Sequence, residues 1–316
     1  MISSPAKNAL WVEKYRPQTI EDCIIPDSTK KFFQEMKKTG DIQNMLISGS
    51  HGVGKTTIAK ALCNEIGADT LFLNCSKDRG IGTLQTKIAG FSSSMSLTAT
   101  SGLKVIIGDE FEYFTPEGQA ALRGLIEQVS KNCRFIFTCN FPNKVIEPLR
   151  SRLLAVDFKI PNAAKPEMAK MFMKRCCSIL DAEGVKYEKE VLAHIIRKHF
   201  PDFRKVLQVL QQASMLGEID ISLLDTADGD FGPYITGLKA KDYKACRKWI
   251  GENAIDPSDF FHTLFTSVSD IFTQDSLAQA ILLLHKGQVE HIQALDEELS
   301  LSALTVELMS QCNFKK

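Results

Sequence analysis

The segment from Gly49 to Thr56, which reads Gly-Ser-His-Gly-Val-Gly-Lys-Thr, constrains the fold of this chain more than any other part. It matches the pattern G-x-x-x-x-G-K-[ST], a glycine-rich turn that joins a β-strand to an α-helix. Apolar residues 45–47 before it predict the strand, and apolar residues at helical spacing after it predict the helix. The alternative is a chance match in a loop rich in Gly and Ser. We favour a phosphate-binding loop in an α/β domain.

Such a loop suits a nucleoside triphosphate with Mg²⁺. Its glycines let the backbone wrap a polyphosphate, and the free amides at the start of the following helix attract the anion. Lys55 can reach the β- and γ-phosphates, and Thr56 can hold Mg²⁺. The residues expected to bind the nucleotide here are Gly49, Gly52, Val53, Gly54, Lys55, Thr56 and Thr57.

The composition limits the class of protein. The 316 residues are enough for about two or three domains, and 44% of them are apolar. No run approaches the ~20 apolar residues that span a membrane, and residues 1–5 do not begin a signal peptide, so we expect a cytoplasmic protein. Nine cysteines without a C-x-x-C pair predict reduced, mostly buried thiols rather than a zinc site. Lysine plus arginine equal aspartate plus glutamate at 38, so any DNA contact requires a local basic patch.

Short β-like runs alternate with helical stretches in the first half, which is typical of a parallel sheet. The predicted strands are residues 44–48, 70–74, 103–107, 134–139 and 155–158. Residues 160–166 break this pattern, and three helical stretches without a strand follow. A second break at residues 228–233 precedes a last all-helical region. We therefore expect an α/β domain over residues 1–161, a small helical domain over 162–227 and a further helical domain over 228–316.

Polar residues close several predicted strands. The segment Val105-Ile106-Ile107-Gly108-Asp109-Glu110 is an apolar strand that ends in two carboxylates. Asp109 is expected to help hold Mg²⁺, and Glu110 to polarise the attacking water as a general base. The alternative is a strand followed by an ordinary acidic turn. Asn140 and Asn74 also end strands, and at the carboxyl edge of a parallel sheet an amide can contact phosphate or water.

The order of these motifs resembles that of an AAA+ ATPase. More specifically, residues 11–17 (Trp-Val-Glu-Lys-Tyr-Arg-Pro) resemble the E-K-Y-R-P box of clamp-loader ATPases, which include replication factor C subunits. Residues 148–152 are similar to the Ser-Arg-Cys box of that family, and the length and residues 200–205 resemble its T-even-like bacteriophage branch. The resemblance implies an AAA+ P-loop NTPase domain with a parallel sheet, a small helical lid domain and a C-terminal all-helical collar domain.

The resemblance also implies roles for individual residues. Asn140 resembles the sensor-1 residue, Arg204 the sensor-2 arginine that reaches the nucleotide, and Arg152 the arginine finger that acts on ATP in a neighbouring subunit. Asn74 resembles the residue that restrains the catalytic glutamate until DNA binds. The expected catalytic residues are Glu110, Lys55, Asn140, Arg152, Arg204 and Asn74, and the expected nucleotide contacts from the first box are Trp11, Val12, Tyr15 and Arg16.

The implied function is that of a DNA-stimulated, Mg²⁺-dependent ATPase in a sliding-clamp loader during DNA replication. Its expected partners are the sliding clamp, a divergent loader subunit, further copies of itself and primer–template DNA, in the bacterial host cytoplasm if the chain is phage-encoded. The candidate DNA contacts are Lys77, Arg79, Thr83 and Lys87, with an ordinary solvated basic face as the alternative. Arg152 could instead form a surface ion pair, and Arg204 could face solvent.

Two other functions fit part of the sequence. A DNA-translocating motor of the branch-migration type shares the ATPase motifs but leaves the E-K-Y-R-P box unexplained. A nonhydrolysing scaffold subunit does not need an intact catalytic set. Three positions depart from the family pattern, because Gly108 replaces a bulky apolar residue, Glu112 a frequent aspartate and Leu153 a cysteine. None of them removes a catalytic group, so we expect an active ATPase.

Overall fold

The chain forms two compact units, Met1–Ile219 and Asp220–Lys316. The computed structural model describes residues 10–77, 81–94, 102–131, 133–215, 217–219, 231–253 and 256–315, without the side chains of residues 81 and 83.

Five parallel strands form the centre of the first unit. They are β1 (Met45–Ser48), β2 (Asp69–Asn74), β3 (Lys104–Asp109), β4 (Cys133–Cys139) and β5 (Leu154–Asp157). Their order across the sheet is β2-β3-β4-β1-β5, so crossover connections join strands that are not neighbours. The register pairs Asn74 with Asp109, which brings the polar ends of β2 and β3 side by side. The predicted parallel sheet is confirmed.

Helices cover both faces of this sheet. The helices of this part of the chain are α1 (Trp11–Lys14), α2 (Asp27–Thr39), α3 (Lys55–Ile66), α4 (Ile81–Ser93), α5 (Pro116–Val129) and α6 (Glu147–Arg150). Alternate residues of a strand point to opposite faces, so Met45 and Ile47 pack with α2 and α3 while Leu46 packs with α4 and α5. A methyl group on Gly108 would lie 2.7 Å from the Phe137 ring, which accounts for the glycine at that strand position.

Three helices complete the first unit and are called the lid helices below. They are α7 (Lys165–Glu183), α8 (Lys189–His199) and α9 (Phe203–Ser214). Asp202 caps α9, and its carboxylate accepts a hydrogen bond from the Lys205 backbone N–H at 2.9 Å. Strands β6 (Lys186–Tyr187) and β7 (Glu218–Ile219) pair in parallel beside these helices. The prediction of no strand in this region is therefore wrong, because a two-residue strand carries no periodic signal.

Over residues 231–253 and 256–315, the second unit is helical apart from its loops and an antiparallel bridge between Phe272 and Phe314. Its helices are α10 (Phe231–Lys239), α11 (Tyr243–Glu252), α12 (Pro257–Thr266), α13 (Val268–Ile271), α14 (Leu277–His291) and α15 (Glu297–Gln311). Tyr234 is fully buried in its core, and its hydroxyl shares a hydrogen bond of 2.8 Å with Thr305 Oγ1. Pro233 lies in the first turn of α10, where a proline removes no helical hydrogen bond. Residues 228–230 of the predicted break lie outside the described residues.

The cysteine side chains agree with the expectation from composition. All nine cysteines are free thiols and eight of them are buried, as predicted. Burial raises the pKa of the Cys63 thiol to about 12, which keeps it protonated and unreactive. Over the described part of the chain, no helix is long and apolar enough to cross a membrane.

Candidate active site

The phosphate loop lies at the carboxyl edge of the sheet, between β1 and α3. Gly54 caps α3 with a φ of 93°, a left-handed conformation that a side chain disfavours. Helix α3 thus begins at a cleft, which is lined by the predicted loop contacts Gly52, Val53, Gly54, Lys55, Thr56 and Thr57. Gly49 is outside this lining, and its expected contact with the nucleotide stays a prediction. Its carbonyl accepts a hydrogen bond from Lys55, and a methyl group there would meet Phe158 at 2.9 Å, so Gly49 shapes the loop.

Lys55 is buried beneath the loop. Its Nζ donates to Gly49 O at 2.9 Å, Ser50 O at 2.7 Å and Asn140 Oδ1 at 2.8 Å. Burial lowers the pKa of Lys55, and the carboxylates of Glu112 and Asp109 oppose that effect because they favour the charged ammonium. Three oxygens therefore hold the ammonium where the oxygens of a triphosphate can replace them.

Thr56 and Asp109 meet at the edge of the sheet. Thr56 Oγ1 donates to Asp109 Oδ1 at 2.7 Å, and Thr138 donates to the same oxygen. Hydroxyl and carboxylate oxygens are ligands that Mg²⁺ prefers, and this ion usually completes its shell with phosphate oxygens and water. The pair therefore fits Mg²⁺ beside a triphosphate. Thr138 is absent from the predicted site, although its place two residues before Asn140 puts both on one side of an extended chain.

Glu110 lines the same cleft, one residue beyond β3. Its backbone has a φ of 56° and a ψ of 42°, in the left-handed region. A residue other than glycine in this conformation costs about 1–3 kcal/mol, and such strain clusters at active sites. The position and the strain of Glu110 agree with the role of general base expected from the sequence.

Asn140 follows β4 and lines the cleft as predicted. Its side-chain Oδ1 accepts the hydrogen bond from Lys55, and its Nδ2 donates to Glu112 Oε1 at 2.7 Å. The backbone N–H of Asn140 donates to the same Glu112 oxygen at 2.9 Å. Glu112 is thus joined to the phosphate loop through one side chain, a connection that the sequence does not reveal.

Asn74 ends the neighbouring strand, but its side chain is engaged in a turn. Its Oδ1 accepts from the backbone N–H groups of Ser76 at 3.0 Å and Lys77 at 3.2 Å. Asn commonly closes a strand in this way. The register with Asp109 keeps Asn74 next to the catalytic strand. Its expected restraint of Glu110 stays a prediction.

The lid helices close the cleft on another side. Arg204, in the first turn of α9, lines the cleft as expected for a sensor-2 arginine. Asp202, the cap of the same helix, lies against the phosphate loop: a methyl group on Gly52 would be 1.8 Å from Asp202 Oδ1. The start of α9 therefore packs against the phosphate loop, and this contact fixes the backbone position of Arg204.

The first sequence box closes the cleft from a third side. Val12, Tyr15 and Arg16 line it, and their contact with the nucleotide stays a prediction. Trp11 does not line it: it is buried, its ring packs edge-on against Tyr15 at 6.5 Å, and its backbone N–H donates to Gln211. Trp11 therefore supports Tyr15, and its expected contact with the nucleotide stays a prediction. Arg175 of α7 also lines the cleft and donates to the Tyr15 carbonyl at 2.8 Å, and no sequence signal marks it.

Arg152 lies away from this cleft. Its Nε donates to Glu127 at 2.9 Å, which is the surface ion pair weighed as an alternative. It lines a separate cavity with Asn44 and Arg134, which lie where β1 and β4 begin. The four residues of β1 span about 13 Å, so Arg152 and the phosphate loop lie at opposite edges of the sheet. An action of Arg152 on ATP therefore requires a neighbouring subunit.

The candidate DNA contacts are described only in part. Lys77 is exposed in the turn after β2, and Lys87 is exposed on α4. Residues 83 and 87 both belong to α4, and a separation of four residues places them on one face. Arg79 and the side chain of Thr83 lie outside the described residues.

Comparison with known proteins identifies the family. Residues 45–161 match the ATPase family associated with various cellular activities (AAA), and residues 164–225 match the AAA+ ATPase lid domain of the sliding-clamp-loader large subunit. The chain is 33% identical over 322 residues to the sliding-clamp-loader large subunit of Enterobacteria phage T4, with 100% of both chains covered. The chain belongs to the clamp-loader family of AAA+ ATPases. The resemblance of the sequence motifs to this family is confirmed.

Other relatives agree with this assignment. The sliding-clamp-loader large subunit of Escherichia phage RB69 is 33% identical over 321 residues, covering 99% of this chain and 98% of that protein. The replication factor C small subunit of Archaeoglobus fulgidus is 34% identical over 215 residues, covering 66% and 65%. Among solved structures, the Thermotoga maritima RuvB Holliday junction branch migration motor matches with a TM-score of 0.55 and 16% identity over 80% of this chain and 78% of that one. This last likeness shows the fold alone. Membership of an ATPase family supports binding and hydrolysis of a nucleotide by this clamp-loader chain.

Proposed function

We propose that the chain is the ATP-hydrolysing subunit of a sliding-clamp loader, which opens the clamp and loads it onto primer–template junctions in DNA replication. The observation that carries this proposal is the full-length similarity to sliding-clamp-loader large subunits, in a chain whose sequence has a residue of the expected type at each of the expected catalytic positions. A nonhydrolysing scaffold would not need Lys55, Thr56, Asp109 and Glu110 in one cleft.

The cleft would bind ATP and prepare it for hydrolysis. Lys55 exchanges its three oxygen partners for oxygens of the β- and γ-phosphates, and Thr56 and Asp109 hold Mg²⁺. Mg²⁺, when bound, would offset the negative charge of the phosphates. Glu110 orients the attacking water and accepts its proton, and Asn140 contacts the γ-phosphate or that water. The residues Val12, Tyr15 and Arg16 enclose the base and sugar.

Two arginines would complete the site, one from the same chain and one from a neighbouring subunit. Arg204 reaches the phosphates from the lid of the same chain, and Asp202 seats its helix on the phosphate loop. Arg152 acts on ATP held by the next subunit and stabilises charge on the transferred phosphoryl group. The cleft in one chain is therefore incomplete until two chains are neighbours.

DNA would contact the segment that follows β2. Lys77 and Lys87 are exposed there, and Arg79 and Thr83 belong to the same stretch. Contacts to phosphate oxygens read the shape and charge of the duplex rather than its bases. Asn74 lies between this segment and β3, so DNA binding can change its turn and release Glu110 for catalysis.

The second unit would hold the subunits together as a collar. It exposes several large apolar side chains on or near α14 and α15, namely Leu282, Val289, Ile292, Leu295, Leu299 and Val306. An exposed apolar surface of this kind is typical of a protein interface. The partners would be further copies of this chain and a divergent loader subunit, and a phage-encoded loader would assemble in the cytoplasm of the bacterial host.

The proposal is tested by steady-state ATP hydrolysis, with the chain coexpressed with its partner subunit. Primer–template junctions, single strands and plain duplex are compared with and without the cognate clamp, and with EDTA added to remove Mg²⁺. The proposal expects the fastest hydrolysis with primed junctions plus clamp, and none with EDTA. Equal stimulation by any duplex, indifferent to the clamp, would instead indicate a translocating motor.

A further inference from the structure

Glu112 lies at one end of a hydrogen-bonded relay that leads to the phosphate loop. It follows β3 in a short 3₁₀ turn over residues 111–113 and is only 6% exposed. Its Oε1 accepts two hydrogen bonds from Asn140, from the backbone N–H at 2.9 Å and from Nδ2 at 2.7 Å. Asn140 Oδ1 in turn accepts from Lys55 Nζ at 2.8 Å. The relay therefore runs from Glu112 through Asn140 to Lys55.

The chemistry of the two ends sets the orientation of the amide between them. A carboxylate only accepts hydrogen bonds, and a lysine ammonium only donates them. The Asn140 amide must then turn its NH₂ to Glu112 and its carbonyl oxygen to Lys55. The reversed orientation would place two acceptors opposite each other at Glu112 and two donors opposite each other at Lys55. An uncharged amide in place of Glu112 could donate as well as accept, so only Lys55 would then hold Asn140 in this orientation.

The surroundings of Glu112 point to a role beyond packing. Its second carboxylate oxygen, Oε2, is buried and has no hydrogen-bond partner within the described residues. A buried, half-satisfied carboxylate is costly, and each such group in a folded protein calls for an explanation. The negative charge of Glu112 also opposes the effect of burial on the pKa of Lys55, and so favours the ammonium that a triphosphate requires.

We propose that Glu112 is a positioning residue for ATP hydrolysis: it fixes the amide orientation of Asn140 and thereby places Lys55 and Asn140 for the γ-phosphate. This inference rests on the proposed function, because it assumes that the cleft hydrolyses ATP. Glu112 itself need not touch the nucleotide. Its effect on the reaction passes through Asn140.

Two substitutions at this position separate orientation from packing. Glu112→Gln keeps the length and volume of the side chain but can donate, whereas Glu112→Asp is shorter but still only accepts. If orientation matters, the Asp variant stays closer to the unchanged chain, and Glu112→Gln lowers kcat about tenfold or more because a displaced catalytic group is costly. Glu117→Gln, an exposed position in the first turn of α5, is the matched control for the change of charge.

The decisive experiment is a double-mutant cycle in the full complex with its partner subunit, clamp and primed DNA. Steady-state hydrolysis and the Kd for a nonhydrolysable ATP analogue are measured for the unchanged chain, Glu112→Gln, Asn140→Ala and the double variant. We expect Glu112→Gln to lower kcat about tenfold alone and less than about twofold when Asn140 is already Ala. Any effect of Glu112→Gln on the Kd for the ATP analogue should likewise disappear when Asn140 is already Ala.

Several results would overturn the inference. Glu112→Gln could behave like the unchanged chain, cost the same factor in both backgrounds, or retain more activity than Glu112→Asp. If thermal unfolding shows that Glu112→Gln does not fold, Glu112→Asp replaces it in the cycle. A loss of kcat that is equal with Asn140 and with Asn140→Ala then contradicts the proposal. An unchanged chain that neither binds nor hydrolyses ATP would instead contradict the proposed function, so the two failures are distinct.

Discussion

The carboxylate of Asp202 in the lid rests on Gly52 of the phosphate loop, so closely that a methyl group on Gly52 would lie 1.8 Å from Asp202 Oδ1. The contact joins residues that are 150 positions apart in the sequence. It couples the loop that would cradle the phosphates to the helix that carries Arg204. A change at either residue should therefore alter both parts of the site.

Gly52→Ala should weaken nucleotide binding about tenfold or more, because the new methyl group pushes the start of α9 away from the loop. Gly40→Ala is a matched control: Gly40 has a φ of 68° against 69° for Gly52, and no atom lies within 4 Å of its added methyl group. Both variants carry a backbone cost of about 1–2 kcal/mol, which thermal unfolding measures. Only Gly52→Ala should raise the Kd of an ATP analogue, and an equal Kd for both variants would disprove the coupling.

Glu110→Gln should retain ATP binding and lose hydrolysis by about 10²–10⁴-fold, because an amide cannot accept the proton of the attacking water. The Kd for ATP should change less than about threefold, since the phosphate loop is untouched. Glu117→Gln again controls for the lost charge. Pre-steady-state hydrolysis by the assembled complex checks this prediction, and a variant with a tenth or more of the normal rate would rule out Glu110 as the base.

Arg152→Ala should lower hydrolysis by the assembled complex about 10³-fold and leave ATP binding by each chain unchanged. Arg123→Ala is the control, because Arg123 also lies near Glu127, at 4.0 Å, and its loss removes a similar surface ion pair. If Arg152 acts on the ATP of a neighbouring subunit, complexes that mix Arg152→Ala chains with Glu110→Gln chains should regain hydrolysis. In such a mixture, Arg152 of a Glu110→Gln chain can complete the site of an Arg152→Ala neighbour, which retains Glu110. Normal hydrolysis by Arg152→Ala complexes would exclude a finger role.

The affinity for ATP should fall as the pH rises, beginning below the usual lysine value of 10.5, because burial lowers the pKa of Lys55 in the free chain. Bound phosphates favour the ammonium, so the bound chain holds this proton more tightly than the free chain does. Raising the pH through the free-chain pKa of Lys55 therefore weakens binding, by at most about tenfold per pH unit. Titrations of an ATP analogue from about pH 7 to 10 measure the slope. Lys55→Arg should remove the slope because arginine does not titrate in that range, and a flat profile for the unchanged chain would contradict the assignment.

The parts of the site that could be predicted from sequence are those that lie within a local motif. The phosphate loop, Asp109 with Glu110, and Asn140 each follow a strand, and a parallel sheet brings the ends of its strands to one edge. The fold class followed from the same alternation of strands and helices. Trp11 belongs to the first box, but its ring is buried beside Tyr15 and does not line the cleft, a placement that depends on packing with other elements.

The remaining features depend on contacts between distant parts of the chain. Thr138, Asp202 and Arg175 acquire their positions only when other elements pack beside them, and no spacing in the sequence encodes those contacts. The register between β3 and β4 brings Glu112 to Asn140, but one sequence does not specify a register. The two-residue strands β6 and β7 are too short for any periodic signal.

Following a labelled clamp on DNA shows whether this chain loads a sliding clamp. The complex of the chain and its partner subunit is mixed with the clamp and a primer–template whose ends are blocked, and retained clamp is measured with ATP, without ATP and with Glu110→Gln chains. We expect clamps to be retained on primed DNA only when ATP is present, with little retention on plain blocked duplex. Rapid ATP hydrolysis on that DNA without any retained clamp would contradict this expectation.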